Sequence, residues 1–213
     1  MRSDLDPAFP GLVQDRLKNR LPGRDAQAQM SPRGRPGRTE LKENSCREAS
    51  VLALLHPWDG RPAVVLIERP GHLNKHPGQI AFPGGRREEG ESRLEAALRE
   101  TREEIGVSED AIEVLGSLTP LYIPPSNFCV YPYVGWIPEL PPLALDPGEV
   151  ASAFSQGIEA FVDGPRELIE VGLGRPVPAW KLNGHTVWGA TAMMLAELGS
   201  VVEPVLARGE PGD

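Results

Sequence analysis

At 213 residues, 40% of them apolar, the chain has the size of one domain plus terminal segments, with enough apolar material for a core. A net charge of −8 offers no broad basic field, which argues against nucleic acid as a partner and leaves a nucleotide substrate open. The opening MRSDLDPAFPGL lacks an apolar signal core, and no stretch reads as the roughly 18 apolar residues of a membrane span. Cys46 and Cys129 form no metal pattern and read as lone buried thiols, which suits a reducing compartment. The expectation is a soluble cytoplasmic protein with no membrane partner.

Residues 1–20 carry Leu12, Val13, Leu17 and Leu21 near helical spacing. Residues 22–40, rich in Pro, Gly and Arg, read as a solvated loop or linker rather than a phosphate-binding segment. Three segments follow: an N-terminal extension over 1–40, a main domain over 41–203 and a flexible tail over 204–213. Within the domain, Ala49–His56 and Ala63–Glu68 read as strands paired across the turn Trp58-Asp59-Gly60. A loop over Pro70–Gly78 leads to a short strand at Gln79–Phe82.

Ser92 is a good helix N-cap and Glu95 completes a capping box, while Gly106 suits the left-handed position after the last turn. Leu94, Ala97, Leu98, Thr101 and Ile105 form the apolar stripe of that helix. Strands are expected at Ile112–Leu118, Phe128–Tyr133 and Val134–Ile137, with Pro-rich breaks at 120–125 and 138–147. A helix is expected over Val150–Val162, a hairpin around Asn183-Gly184, and a last helix over Gly189–Leu198. Strands mixed with a few helices point to one layered α/β-type domain.

The chemistry concentrates in Gly85–Val107, GRREEGESRLEAALRETREEIGV. Glu100, Glu103 and Glu104 stand at i, i+3 and i+4 and share one helix face, where each like-charged pair costs roughly 0.2–0.5 kcal/mol. A hard cation resolves that repulsion, because Mg²⁺ and Mn²⁺ prefer oxygen ligands and Mg²⁺ often joins carboxylates to substrate phosphates. The bland alternative is a salt-bridged surface helix, with Arg99 at i+4 from Glu95 and Glu103 at i+4 from Arg99.

The ordered positions Gly85, Glu91, Arg99, Glu100, Thr101, Glu103, Glu104, Gly106 and Val107 resemble the box of the Nudix hydrolase family. Thr101 departs from the usual bulky aliphatic residue; its methyl lies on the core stripe. The resemblance implies an α+β fold, an αβα sandwich around a mixed β-sheet, and metal-dependent hydrolysis of a nucleoside diphosphate linked to another moiety. It implies Glu100 and Glu104 as ligands of Mg²⁺ or Mn²⁺, Glu103 as ligand or general base, and Arg99 as a catalytic-site residue pairing with Glu91. Gly106 and Glu91 support the box. Glu149 is a candidate further catalytic carboxylate from a loop; as an acid at a helix start it equally suits the helix dipole.

Immediately upstream, LIERPGHLNKHPGQIAFPGG (66–85) is similar to the extension of Nudix enzymes that hydrolyse coenzyme A. Leu66, Arg69, Gly78, Phe82, Pro83, Gly84 and Gly85 match; Val65, Ile67 and Pro70 depart. Asn74 stands where Arg or Lys is usual, with Lys75 beside it. Arg69, Lys75 and His76 would supply cations for phosphate, and Gly84 and Gly85 would allow close approach. The implied reaction releases 3′,5′-ADP and 4′-phosphopantetheine. A Nudix hydrolase of ADP-ribose, NADH or a nucleoside triphosphate is the nearest rival, and a non-catalytic nucleotide-binding module the more distant one. A homodimer stays open. Trp180, Trp188, Met193 and Met194 read as core.

Overall fold

β1 (Arg47–Trp58) and β2 (Arg61–Glu68) form the antiparallel hairpin expected from their apolar runs. Asp59 (φ 58°) and Gly60 (φ 78°) make the two-residue turn, whose left-handed pair matches the twist of the strands. The coordinates, a computed structural model, describe residues 5–19, 21–32, 46–71, 78–172 and 176–207.

β1 lies at the centre of an eight-stranded mixed sheet among the described residues. Beyond β2 comes β3 (Ile80–Ala81), and β4 (Gly84–Arg86) pairs with the start of β1. On the other side β7 (Phe128–Trp136) runs parallel to β1, followed by β5 (Glu113–Ser117); β6 (Leu121–Ile123) pairs with the start of β7. β8 (Ser152–Gly157) pairs antiparallel with β2. A separate three-stranded sheet has the order β11 (His185–Trp188), β10 (Pro176–Leu182), β9 (Arg166–Glu170). Its hairpin turns at Asn183 (φ 49°) and Gly184 (φ 87°), as Asn-Gly predicts.

The period of two along β1 and β2 builds the layers. Leu52, Leu54, Val65 and Ile67 face one way and pack with Ala97 and Ile105 of α3 (Arg93–Ile105). Ala53, Leu55, Val64 and Leu66 face the other way, in the cluster that holds Phe9, Val13 and Leu17 of α1 (Phe9–Lys18). The same cluster takes most of α4 (Gly189–Leu206). The result is the αβα sandwich around a mixed sheet that the family resemblance implies. Trp180, Met193 and Met194 are buried there, as read.

Several local expectations are corrected. Residues 23–28 are α2, not loop: Ala26, Gln27 and Met30 are buried. Gln27 Nε2 donates to Glu197 Oε2 and to the Thr119 carbonyl, both at 2.8 Å. These partners are remote in sequence, so composition does not reveal them. Phe128–Trp136 is one strand rather than two, because Pro132 keeps its register opposite Val51 and its carbonyl accepts from Leu118 N–H. The break at 120–125 holds β6, and β9 gave no periodic signal. Val150–Val162 is not a helix: β8 occupies 152–157 and a 3₁₀ turn Ile158–Phe161 follows. The open edge of β2 imposes that strand.

α4 extends to Leu206, so the segment set apart as a tail begins inside a helix; residues 208–213 lie outside those described. By length and composition α4 could cross a membrane, contrary to the sequence reading, yet two-thirds of it is buried inside the protein. Cys46 and Cys129 are not lone thiols but a disulfide with Cα atoms 5.7 Å apart, within the usual span of such a bridge. It ties the start of β1 to the start of β7, and the argument for a reducing compartment from unpaired thiols falls with it.

Candidate active site

α3 is fixed by local chemistry at both ends. Ser92 Oγ accepts from Glu95 N–H (3.2 Å) while Glu95 Oε2 accepts from Ser92 N–H (2.6 Å), closing the predicted capping box. Gly106 takes φ 74° at the other end. Thr101 is fully buried and donates its hydroxyl to the Ala97 carbonyl at 2.7 Å, which satisfies the polar atom within the helix and leaves the methyl to the core. The departure from the aliphatic pattern is absorbed without an orphan group.

With its core stripe seated on the sheet, α3 turns Glu100 and Glu104 toward β4. Carboxylate oxygens of Glu100, Glu104 and Glu149 all lie within 4.8 Å of one another. Glu149 arrives from the loop before β8, not from a helix start. Ala144 N–H bonds to the Ile105 carbonyl and Asp146 N–H to the Glu104 carbonyl, stitching that loop to the end of α3. Asp146 then accepts from Gly148, Glu149 and Val150 N–H, the turn that presents Glu149.

Glu104 is 1% exposed. Its Oε2 accepts from Gly84 N–H at 2.8 Å, while its buried Oε1 has no hydrogen-bond partner. Burial pushes this carboxyl up to about 8, against the Gly84 hydrogen bond; Glu100 and Glu149 add to the rise and Arg69 opposes it. Burial likewise raises Glu100, with Arg99 opposing. An orphaned oxygen among three converging carboxylates fits a hard divalent cation, which would replace the missing partner and favour the ionised forms. Glu100, Glu104 and Glu149 are the residues that could hold it.

Gly84 and Gly85, expected to approach substrate, stand against the carboxylates. A β-carbon on Gly85 would lie 2.5 Å from the Glu100 carboxyl atoms. Arg99 binds Glu91 through two hydrogen bonds, as the resemblance implies, and also reaches Glu100 Oε1 (3.0 Å) and Glu103 Oε2 (2.9 Å). These carboxylates hold the Arg99 guanidinium firmly protonated, Glu91 first, and Arg99 in turn holds Glu91 below the usual carboxylate range. Glu103 is half-exposed, its oxygens engaged by Arg99 and Arg102, and it lies outside the converging group.

Arg69 Nη1 stands 3.8 Å from Glu104 Oε1. Lys75 and His76 lie outside the described residues. Sequence reasoning missed Glu48, which bonds Arg87 Nε (2.6 Å) and Arg93 Nη2 (2.5 Å) and so anchors the box loop and the first turn of α3 to β1. An isolated Glu before an apolar run carries no local signal for that task.

The NUDIX domain pattern matches residues 47–167. Nudix hydrolase 3 of Caenorhabditis elegans is 40% identical over 116 residues, 53% of this chain and 48% of that protein, so the likeness spans about half of that relative. The Nudix hydrolase NudL of Salmonella dublin, described as uncharacterized, is 35% identical over 77% of this chain and 86% of its own length. Among solved structures, a MutT/nudix family protein from Enterococcus faecalis superposes with a TM-score of 0.52 at 21% identity, covering 78% of this chain and 66% of that one. A C. elegans Ap4A hydrolase binary complex superposes at 0.50 with 16% identity, covering 76% and 96%. The box that folds here into a carboxylate-bearing helix and the match across most of the sheet lead to one conclusion: the chain belongs to the Nudix hydrolase family.

Proposed function

We propose that the protein is a metal-dependent pyrophosphohydrolase that cleaves coenzyme A or a derivative to 3′,5′-ADP and 4′-phosphopantetheine (or its acylated form). The observation that carries the reading is the meeting of two signatures. Arg69, from the upstream motif, reaches Glu104, from the box, so a phosphate bound near that arginine would sit beside the metal carboxylates.

Mg²⁺ or Mn²⁺, when bound, would polarise the diphosphate and acidify a water. The chain's own residues do the rest. Glu100 and Glu104 are oriented by Arg99 and by Gly84 N–H. The exposed Glu149 carboxylate has no hydrogen-bond partner among the described residues and lies next to both, which suits it to accept the proton of an attacking water. Glu103, tied to two arginines, acts as a support for Arg99. The Arg69 guanidinium offers a forked donor to a phosphate oxygen.

The test is product analysis with Mg²⁺ or Mn²⁺ over CoA, dephospho-CoA, NADH, ADP-ribose, Ap4A and dGTP. Release of 3′,5′-ADP from CoA well ahead of the other turnovers supports the reading. Faster cleavage of another compound reassigns the substrate, and nucleotide binding without any turnover makes the chain a binding module.

A further inference from the structure

One residue along β4 from Gly85, an open pocket of about 540 Å³ is lined by Arg47, Arg86, Arg87 and Arg93 together with Glu48 and Tyr131. Four arginines and one glutamate thus gather at this place, on a chain whose net charge is −8. The arrangement is ordered rather than diffuse. Glu48 holds Arg87 and Arg93 through short hydrogen bonds, and the Arg93 guanidinium lies 3.7 Å from the Tyr131 ring centroid. One carboxylate thus fixes two cations and neutralises only one of them.

Arg47 and Arg86 supply the uncompensated charge. Arg47 donates to the Ser126 carbonyl at 2.5 Å and lies over the Phe128 ring at 4.4 Å. Both partners are neutral, so they orient the group without cancelling it. Arg86 has no acidic partner among the described residues. Its backbone is fixed, since β4 pairs it with Ala49 and its carbonyl accepts from Arg99 Nη2 at 3.2 Å. Several guanidinium forks in a pocket this size suit the oxygens of a phosphate better than a lone carboxylate, which could satisfy only one fork.

We propose that this pocket is a second anion site, which takes a phosphate dianion other than the one at the carboxylates. The dianion is either a monoester carried by a nucleotide or free inorganic phosphate. The inference stands apart from the identity of the cleaved substrate.

Calorimetric titration of the metal-free full chain tests it, with 3′,5′-ADP, 5′-AMP and inorganic phosphate as probes. Wild type should bind 3′,5′-ADP at least tenfold tighter than 5′-AMP. The Arg47→Gln/Arg86→Gln variant, with unchanged circular dichroism, should bring the two within twofold. Measurable binding of phosphate alone, lost in the same variant, identifies the free ion as an occupant; binding of 3′,5′-ADP without it identifies the tethered monoester. Affinities for all three probes that are the same in wild type and variant, or a preference that survives in the variant, overturn the proposal. Neither metal nor turnover enters the measurement, so a protein that does not cleave CoA can still pass it.

Discussion

Arg99 Nε and Nη2 grip both oxygens of Glu91, at 3.0 and 2.9 Å, across the loop that leads into α3. The remaining guanidinium nitrogen reaches Glu100 and Glu103. A planar fork with several donors can hold a loop and aim a ligand at once; an ammonium cannot.

Arg99→Lys should therefore lose both functions. The expected cost is about 2–3 kcal/mol of stability, with a larger fall in kcat than in substrate affinity. Urea unfolding beside steady-state kinetics checks this. An unchanged kcat in a destabilised protein would mean that Arg99 only braces the loop.

Glu104→Gln should fold as well as wild type, since an amide can still accept from Gly84 N–H and carries no charge to bury. Turnover should drop on the order of 100-fold as a first carboxylate ligand is lost. In thermal melts the rise in Tm that Mn²⁺ gives wild type should vanish in the variant. A wild-type-like Mn²⁺ shift would remove Glu104 from the ligand set.

The two neighbouring glycines should respond differently. At Gly85 the added methyl meets the Glu100 carboxyl group, which can swing away. Gly85→Ala should keep its Tm and lose activity. Gly84 has φ 147°, and a β-carbon there would fall on the Ser50 carbonyl oxygen and within 2.6 Å of Val51 Cα. Backbone cannot yield so readily, so Gly84→Ala should lose roughly 2–4 kcal/mol of stability. Equal stability of the two variants would contradict this picture.

Glu197 is fully buried, accepting from Thr119 Oγ1 (2.7 Å) and Gln27 Nε2 (2.8 Å). Burial raises its carboxyl above the ordinary 4.5, while those hydrogen bonds oppose the rise. A folded value above the unfolded one contributes stability that is complete below 4.5 and is lost as pH climbs through the raised value. Glu197→Gln should therefore gain on wild type as pH rises above 4.5. Paired denaturation series give the difference; a constant gap across that range would show that the carboxyl is not shifted.

The parts of the molecule that were readable in sequence are those governed by near neighbours. Ser92, Glu95 and Gly106 announce α3 because a cap and a left-handed stop are local devices, and Asn183-Gly184 announces its hairpin for the same reason. Glu91 and Arg99 meet within one loop and helix, a pairing that the family resemblance implies, while the further reach of Arg99 to Glu100 is not part of that expectation. Glu149 was named, but its setting was not, because only the backbone bonds from Ala144 and Asp146 to the end of α3 bring it there. The Gln27–Glu197 bond joins positions 170 residues apart, and the Cys46–Cys129 bridge spans 83. No window of sequence contains both ends of either. β8 had no strand pattern of its own and took its shape from a neighbour.

β1 and β2 send alternate side chains into opposite layers, so the catalytic and non-catalytic sides of the protein share the same backbone. A core truncation under α4, such as Leu195→Ala, therefore loosens the very strands on which α3 rests. Loss of activity in this chain need not map to its carboxylates: side chains packed in the opposite layer hold the same two strands in place.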